Sequence, residues 1–182
     1  MKNRDLNTIN QFEEHERIFM KEFYIAFLKP MFENDYIPEL YLTKGLSGCA
    51  FDAVIYLKNK ITYDIEYKFL IEIKCRPTDF DTIMFEKKKY NGLLKEHKKA
   101  VQNRGANEDN GILYIIFTEK KTFVFNILSD KIQSFLKVKK NLVKESHVKT
   151  TFIQDDKKII KPIWYLPKEF AQQFNYTTEY NF

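Results

Sequence analysis

The sequence of 182 residues is poor in the residues that punctuate or cross-link a chain. It has five glycines and five prolines, about half of the roughly 12% that these two residues make up in an average protein. Long flexible linkers and proline-rich or collagen-like segments are therefore excluded. Two cysteines are too few for the disulfide framework of a small secreted domain, which favours a reducing, cytoplasmic setting.

Long apolar runs and nucleotide-binding motifs are also missing. The longest strongly apolar run, Gly111–Phe117, is far shorter than the roughly 20 residues that span a bilayer. The polar first ten residues do not resemble a signal peptide. There is no Walker loop, no GxGxxG and no GxSxG motif, and the three histidines are scattered. We therefore expect a soluble protein with no membrane partner, no ATP-driven chemistry and no histidine-rich metal site.

What the sequence does have is material for a core and an uneven positive charge. Hydrophobic residues make up 44% and aromatic residues 16%, which excludes disorder as the main state. Residues 84–104 hold seven Lys/Arg and two Glu, a net charge of +5 that equals the excess of the whole chain. Residues 137–149 form a second basic stretch. This charge favours a polyanionic partner, with a solvated lysine-rich helix face as the alternative.

The residue periodicity predicts a single domain over residues 1–182. Phenylalanines at helical spacing predict a helix over residues 10–29 that Pro30 ends, and a second apolar stripe predicts a helix over 83–103. Period-two runs predict strands at 36–43, 51–57, 65–75, 111–118 and 122–128. This order indicates an α/β (α+β) fold, a mixed sheet flanked by helices with its core at about 10–128. We expect a C-terminal addition over about 129–182, with a helical segment, a hairpin of 147–153 and 159–166, and a short helix from Pro167.

The strand at 65–75 carries charge on one face. Its odd positions are apolar, apart from a closing cysteine, whereas its even positions include Glu66, Lys68, Glu72 and Lys74. Because side chains alternate across a sheet, Glu72 and Lys74 are neighbours on one face. They follow the apolar triplet at 69–71, where a charged group needs a partner or a metal ion.

A second carboxylate comes from the preceding strand. If the hairpin turn centres on residue 62, Asp52 lies opposite Glu72, whereas a turn centred on Asn59 would place Asp52 opposite Glu66, beside Lys68. We prefer the first register because the strand ends just after Lys74, but the second stays open, as does an ion-pair ladder across the strands. Two carboxylates and a lysine at one point suit Mg²⁺ and the hydrolysis of a phosphodiester.

These residues resemble the PD-(D/E)xK nuclease superfamily. Asp52 is followed across a hairpin by Glu72-Ile73-Lys74, with a helix before and a basic helix after, although Phe51 stands where the family usually has proline. The resemblance covers roughly residues 10–128 and implies a restriction-endonuclease-like fold and a deoxyribonuclease that depends on Mg²⁺, with Mn²⁺ as a substitute. Asp52 and Glu72 would hold the metal with the backbone carbonyl of Ile73, and Lys74 would position or activate the attacking water.

The resemblance adds two further catalytic candidates. Glu16 lies within the apolar stripe of the first predicted helix, where some members place a glutamate near the metal. Lys87 follows Ile83 by four residues and precedes Tyr90 by three, which predicts an inward position near the metal or the phosphate. For both, a buried stem with a solvated head is the alternative. We expect phosphate contacts from Arg76 and from four lysines off the stripe, Lys88, Lys95, Lys98 and Lys99.

The expected function is therefore Mg²⁺-dependent hydrolysis of DNA. A junction-resolving or phage-type recombination and repair endonuclease fits, acting as a homodimer in the cytoplasm of a bacterial or phage-infected cell. The alternatives are a non-catalytic DNA-binding or virion-associated module on the same fold, and cleavage of RNA.

Overall fold

The computed structural model describes residues 6–43, 50–76, 81–104, 111–138, 144–148 and 159–175. The α-helices in these ranges are α1 (Leu6–Phe23), α2 (Lys29–Phe32), α3 (Lys87–Arg104) and α4 (Asp130–Val138). The strands are β1 (Tyr36–Leu42), β2 (Ala53–Asn59), β3 (Ile65–Cys75), β4 (Thr82–Glu86), β5 (Gly111–Phe117), β6 (Lys121–Asn126), β7 (Lys144–Val148), β8 (Ile159–Pro167) and β9 (Gln172–Asn175). A π-helical turn, Tyr24–Leu28, and a 3₁₀ turn, Lys168–Phe170, complete the elements. No helix in these ranges is long and apolar enough to cross a membrane.

The strands form two sheets. The larger sheet has six strands in the order β1-β2-β3-β5-β6-β9. Its β3 and β5 are parallel, and all other neighbours are antiparallel. The smaller sheet is antiparallel and has the order β4-β8-β7. The predicted α+β architecture, a mixed sheet flanked by helices, is confirmed.

Both faces of the larger sheet are covered, one by α1 and the other by α3, α4 and the smaller sheet. On one face, α1 packs through Phe19, Met20 and Phe23. On the other, apolar side chains of α3, α4 and the smaller sheet pack against the sheet. The central strand β5 is buried at every position because both of its faces are covered. A Cβ atom at Gly111, where β5 begins, would overlap the ring of Phe69, so this close approach of strand and ring requires glycine.

Two predicted helix boundaries are wrong. The first helix does not stop at Pro30 but passes through the π-helical turn into α2, where proline is tolerated because it lies in the first turn. The second helix begins at Lys87, not at Ile83, because residues 82–86 form β4 and pair with β8. Ile83 and Phe85 are both buried, which is the period-two pattern of a strand.

The C-terminal segment joins both sheets. β7 and β8 pair antiparallel, as predicted, but β7 spans Lys144–Val148 and shares only residues 147 and 148 with the predicted strand at 147–153, the rest of which lies outside the described residues. β8 also pairs with β4, and β9 extends the larger sheet beside β6. The predicted helix after Pro167 is the short 3₁₀ turn that leads into β9. The parts of this segment at 139–143, 149–158 and 176–182 lie outside the described residues.

Candidate functional site

The β2–β3 hairpin brings Asp52 next to Glu72. Ala53 pairs with Ile71 and Leu57 pairs with Tyr67, so the hairpin centres on residue 62, which is the register preferred from the sequence. The backbone N–H of Asp52 donates to the carbonyl of Ile71 at 2.8 Å, which places Asp52 at the level of Glu72.

The alternative pair, Glu66 and Lys68, lies nearer the hairpin turn. Lys68 pairs with Tyr56 in the sheet, and the carboxylate of Glu66 accepts a hydrogen bond of 2.6 Å from the side-chain amide of Asn59. Lys68 is four residues before Glu72, a separation of about 13 Å along a strand. The register therefore assigns Glu72 and Lys74, rather than Glu66 and Lys68, to the row that contains Asp52.

The backbone N–H of Ile73, which has no partner in β2, holds the Asp52 side chain by a hydrogen bond. Regular pairing of β2 with β3 ends at Ala53, so the N–H and C=O of Ile73 face no β2 partner. Asp52 Oδ2 accepts a hydrogen bond from this N–H at 2.8 Å, and Lys74 Nζ donates to this carbonyl at 2.8 Å. The side chains of Asp52 and Lys74 thus meet at one peptide group of β3, just beyond the first residue of β2.

Thr43 holds the backbone of Asp52, and Arg17 in turn holds Thr43. The backbone N–H of Thr43 donates to the carbonyl oxygen of Asp52 at 2.8 Å. Its hydroxyl lies 2.9 Å from the same oxygen and 3.1 Å from the carbonyl oxygen of Phe51. Arg17 Nη1, from α1, donates to the carbonyl of Thr43 at 2.6 Å. Neither residue belongs to a recognisable motif, and the one signal in the sequence is that Thr43 is a polar residue at the end of a predicted strand.

Glu72 is a completely buried carboxylate between two lysines. Its oxygens lie 2.8 Å from Lys74 Nζ and 2.9 Å from Lys89 Nζ. The contact with Lys89 is also a hydrogen bond. Oε1, on the Lys74 side, forms an ion pair without hydrogen-bond geometry and receives no hydrogen bond from the described residues. Burial raises the pKa of Glu72 above its usual range, assisted by the charge of Asp52 and opposed by both lysines.

Lys74 stays charged in this setting. Burial alone would lower the pKa of Lys74, but the negative charges of Glu72, Glu16 and Asp52 outweigh it, and the pKa is raised above its ordinary value. A lysine with a raised pKa is a poor base at neutral pH. Its ammonium group can instead donate hydrogen bonds and stabilise negative charge.

Glu16 reaches the same end of the sheet from α1. The backbone N–H of Cys75 and the charges of Lys74, Asp52 and Glu72 all influence its carboxylate. Burial raises its pKa to about 7, with the positive charge of Lys74 opposing the rise. Glu16 thus lies near enough to Lys74, Asp52 and Glu72 for their charges to act on its pKa.

The helix lysine that reaches Glu72 is Lys89, whereas the sequence predicts Lys87. Lys87 is the first residue of α3, and its ammonium lies 6.0 Å from the ring centre of Trp164. Within the described part of the chain it has no carboxylate within 4.0 Å. The physical reason is the start of the helix, because β4 occupies the residues that were expected to form the first helical turn. Because the helix begins at Lys87, Lys89 rather than Lys87 faces Glu72 in the sheet.

The residues predicted to contact phosphates divide into two groups. Arg76 lines a narrow cleft together with Glu72, Lys74, Glu86 and Lys89. The exposed lysines Lys88, Lys95, Lys98 and Lys99 project from α3. The last three of these lysines line an open groove of about 420 Å³ with Asn91, Leu94 and Gln102. Lys99 also pairs with Glu96 at 2.7 Å.

The oxygen atoms around Asp52 and Glu72 suit a hard divalent cation that is held by few protein ligands. Within the described ranges, no group of three or more His, Cys, Asp or Glu side chains is arranged to hold a metal ion. The donors that fit are the carboxylates of Asp52 and Glu72 and the backbone carbonyl of Ile73. Glu72 Oε1 is buried, and the contact that the described residues give it is the 2.8 Å ion pair with Lys74. Mg²⁺ is usually bound by one or two carboxylates, with waters and phosphate oxygens completing its shell, so this donor set fits it.

Comparison with known proteins gives one distant likeness to report. No protein-family model matches the chain, and no curated protein matches it. Among solved structures, the chain is similar to D212, a nuclease from a fusselovirus, with a TM-score of 0.42 and 14% sequence identity. The match covers 94% of this chain and 88% of that chain. At this similarity the likeness does not establish a shared activity.

Thr43 should hold Asp52 through its hydroxyl group. We expect Thr43→Val to lose about 1 kcal/mol of unfolding free energy, because valine keeps the shape but cannot donate to the carbonyl oxygens. Loosening of Asp52 should also speed the exchange of the Ile73 amide hydrogen by about fivefold, since 1.4 kcal/mol corresponds to a factor of ten. Urea denaturation and amide exchange measured by NMR check both effects.

Thr43→Ser is the matched control. Serine keeps the hydroxyl and should leave the Ile73 amide as protected as in the wild type. If Thr43→Val also leaves this protection unchanged, Thr43 does not position Asp52.

Proposed function

We propose that the protein is a Mg²⁺-dependent nuclease of the PD-(D/E)xK type that hydrolyses phosphodiester bonds of DNA. The observation that carries the proposal is that Asp52 and Lys74 both bond to the peptide group of Ile73, while the same Lys74 ammonium pairs with Glu72. Each carboxylate is held by backbone or lysine contacts, so the oxygen donors are arranged before any ligand binds. Such preorganisation is what electrostatic stabilisation of a transition state requires.

The metal would be held by the side chains of Asp52 and Glu72 and by the carbonyl of Ile73. When bound, the cation would supply Lewis-acid stabilisation of the charge that develops on the phosphate. Lys74 now contacts both Glu72 Oε1 and the Ile73 carbonyl. Its ammonium must therefore leave at least one of these oxygens when the cation binds, which its flexible four-carbon stem allows.

The remaining residues would orient water and substrate. Lys74 would hold the attacking water by hydrogen bonding, and Glu16 lies on the α1 side of the row, where it can accept a proton from that water. The water oxygen forms a bond to phosphorus while the bond from phosphorus to the leaving sugar oxygen breaks, and that oxygen takes up a proton from a solvent water molecule. Lys89 and Arg76, which line the same cleft, would neutralise the phosphate oxygens.

The basic helix α3 would extend the contact with the substrate. Lys88, Lys95, Lys98 and Lys99 are exposed and can contact phosphates without reading the base sequence. The spread of these lysines over residues 88–99 corresponds to about 17 Å of helix. Such a contact predicts binding that weakens strongly with salt.

Three finer points stay predictions. A junction-resolving or phage-type repair role, a homodimer, and action in the cytoplasm of a bacterial or phage-infected cell follow from the nuclease proposal rather than from contacts in the described residues. Cleavage of both strands of a duplex would need two sites, which is the reason to expect the homodimer.

The core of the proposal predicts metal-dependent cleavage that Asp52→Asn and Lys74→Ala abolish. We expect hydrolysis of DNA with Mg²⁺ or Mn²⁺ and none with EDTA. Each variant should lower the rate by about a hundredfold or more, because it removes a metal ligand or a transition-state contact. The measurement is a gel assay on linear, nicked, single-stranded and branched DNA, with an RNA panel alongside.

The matched controls are Asp64→Asn, in the exposed hairpin turn, and Lys121→Ala, a half-exposed lysine in β6. Both should cleave at the wild-type rate. If no substrate is cleaved with either metal, while DNA binding is unchanged by Asp52→Asn, the chain is a DNA-binding module and the nuclease proposal fails. Cleavage of RNA alone would retain the chemistry and overturn the choice of DNA.

The contact between Lys89 and Glu72 predicts that Lys89→Ala is more damaging than Lys87→Ala. Lys89→Ala leaves a buried carboxylate with one cation fewer and removes a charge from the cleft. We expect it to lower kcat at least tenfold, whereas Lys87→Ala should stay within about threefold of the wild type. Single-turnover cleavage assays, with thermal unfolding as the check on folding, measure both. A larger loss in Lys87→Ala would show that the substrate approaches the helix differently.

A further inference from the structure

The face of the sheet that carries Glu72 also carries an exposed aromatic ring. Tyr41 of β1 pairs with Val54 of β2, and Val54 pairs with Leu70 of β3. Directly paired residues share a face and positions two apart alternate back to it, so the side chains of Tyr41, Leu70 and Glu72 lie on the same face. With standard strand spacing and rise, Tyr41 lies about 12 Å from Glu72 across the sheet.

Hydrogen bonding and packing hold the ring of Tyr41 in place while leaving it accessible. Tyr41 is 51% exposed. Its hydroxyl donates to Glu39 Oε2 at 2.7 Å, and Glu39 is paired with Lys58 at 2.8 Å. The ring of Tyr56 packs edge-on against it, with ring centres 5.5 Å apart and an interplanar angle of 70°. A ring fixed in this way loses little conformational entropy when a ligand stacks on it.

The charges around this ring cancel, so its attraction for a ligand would not be ionic. Glu39 and Glu66 oppose Lys58 and Lys68 on this part of the face. The ammonium of Lys68 lies 5.7 Å from the ring centre of Tyr56. An exposed aromatic ring beside a phosphodiester site can bind the flat face of a nucleic-acid base, and such stacking tolerates any base. Bases inside an intact duplex already stack on their neighbours and do not offer this face.

We propose that Tyr41, supported by Tyr56, is a stacking platform for an unpaired nucleotide about 12 Å from the proposed site of cleavage. The inference rests on the proposed nuclease function and names its substrate class, which is nucleic acid with a single-stranded segment such as a flap, gap, branch or frayed end. The phosphate contacts of α3 would then supply affinity for any nucleic acid, whereas Tyr41 would supply the preference for unpaired structure.

The test compares the binding of fluorescent oligothymidine and of a duplex of equal length, in EDTA, so that no cleavage occurs. Tyr41→Ala should weaken oligothymidine binding about 5-fold to 100-fold, the equivalent of a stacking loss of about 1–3 kcal/mol. The dependence of this binding on salt should not change, because no charge is lost. Duplex binding should stay at the wild-type level.

Two controls separate stacking from folding. Tyr41→Phe keeps the ring and should bind oligothymidine as the wild type does. Tyr63→Ala removes another exposed tyrosine, in the β2–β3 turn, where it is 67% exposed, and should have no effect. Thermal unfolding of all variants identifies any loss of folding.

The outcomes are distinct from those of the nuclease test. Wild-type oligothymidine binding by folded Tyr41→Ala, or an equal loss on single strands and duplex, overturns the platform, even if the protein cleaves DNA. A selective loss on oligothymidine supports the platform, even if no cleavage is found. If the exposed ring serves a protein partner, Tyr41→Ala leaves both nucleic acids bound normally, which also overturns the proposal.

Discussion

The candidate site depends on the point at which the pairing of β2 with β3 ends. β2 begins only at Ala53, whereas the antiparallel β3 continues past Ala53's partner Ile71 to Cys75, so the peptide group of Ile73 has no partner in β2. Its N–H is satisfied by Asp52 and its C=O by Lys74. A buried backbone group left unpaired costs about as much as a lost hydrogen bond, so the free edge stabilises the arrangement of these two side chains. The hairpin register, in turn, sets Glu72 opposite Asp52.

Burying Glu72 creates the electrostatic character of this region. A buried carboxylate is costly unless cations and hydrogen bonds compensate it, and here Lys74 and Lys89 approach its two oxygens. The negative charges of Glu72, Glu16 and Asp52 keep Lys74 protonated, while burial raises the pKa of Glu16 to about 7. A cluster of this kind can serve as a structural ion-pair network or as a site for a cation and a phosphate. Both oxygens of Glu72 are engaged by ammonium groups in this structure, so the second interpretation requires Lys74 to yield Oε1 to the cation.

Local patterns in the sequence predicted the β2–β3 hairpin, whereas the start of α3 depends on pairing between strands that are far apart in the sequence. β3 was predicted with its observed bounds because its period of two is unbroken from Ile65 to Cys75, and the polar stretch at 58–64 located the turn. Lys89 could not be predicted, since its direction depends on where α3 starts. That start is fixed by the pairing of β4 with β8, about 80 residues later. Thr43 was missed because a backbone contact to Asp52 leaves no motif in the sequence.

The most direct test of the central claim is a crystal structure with Mn²⁺, located by anomalous scattering. The account predicts one ion in contact with carboxylate oxygens of Asp52 and Glu72 and with the carbonyl oxygen of Ile73. It also predicts that Lys74 Nζ has left at least one of the two oxygens it now contacts. Mn²⁺ bound elsewhere, or no bound ion with Lys74 still joining Glu72 to Ile73, would contradict the account.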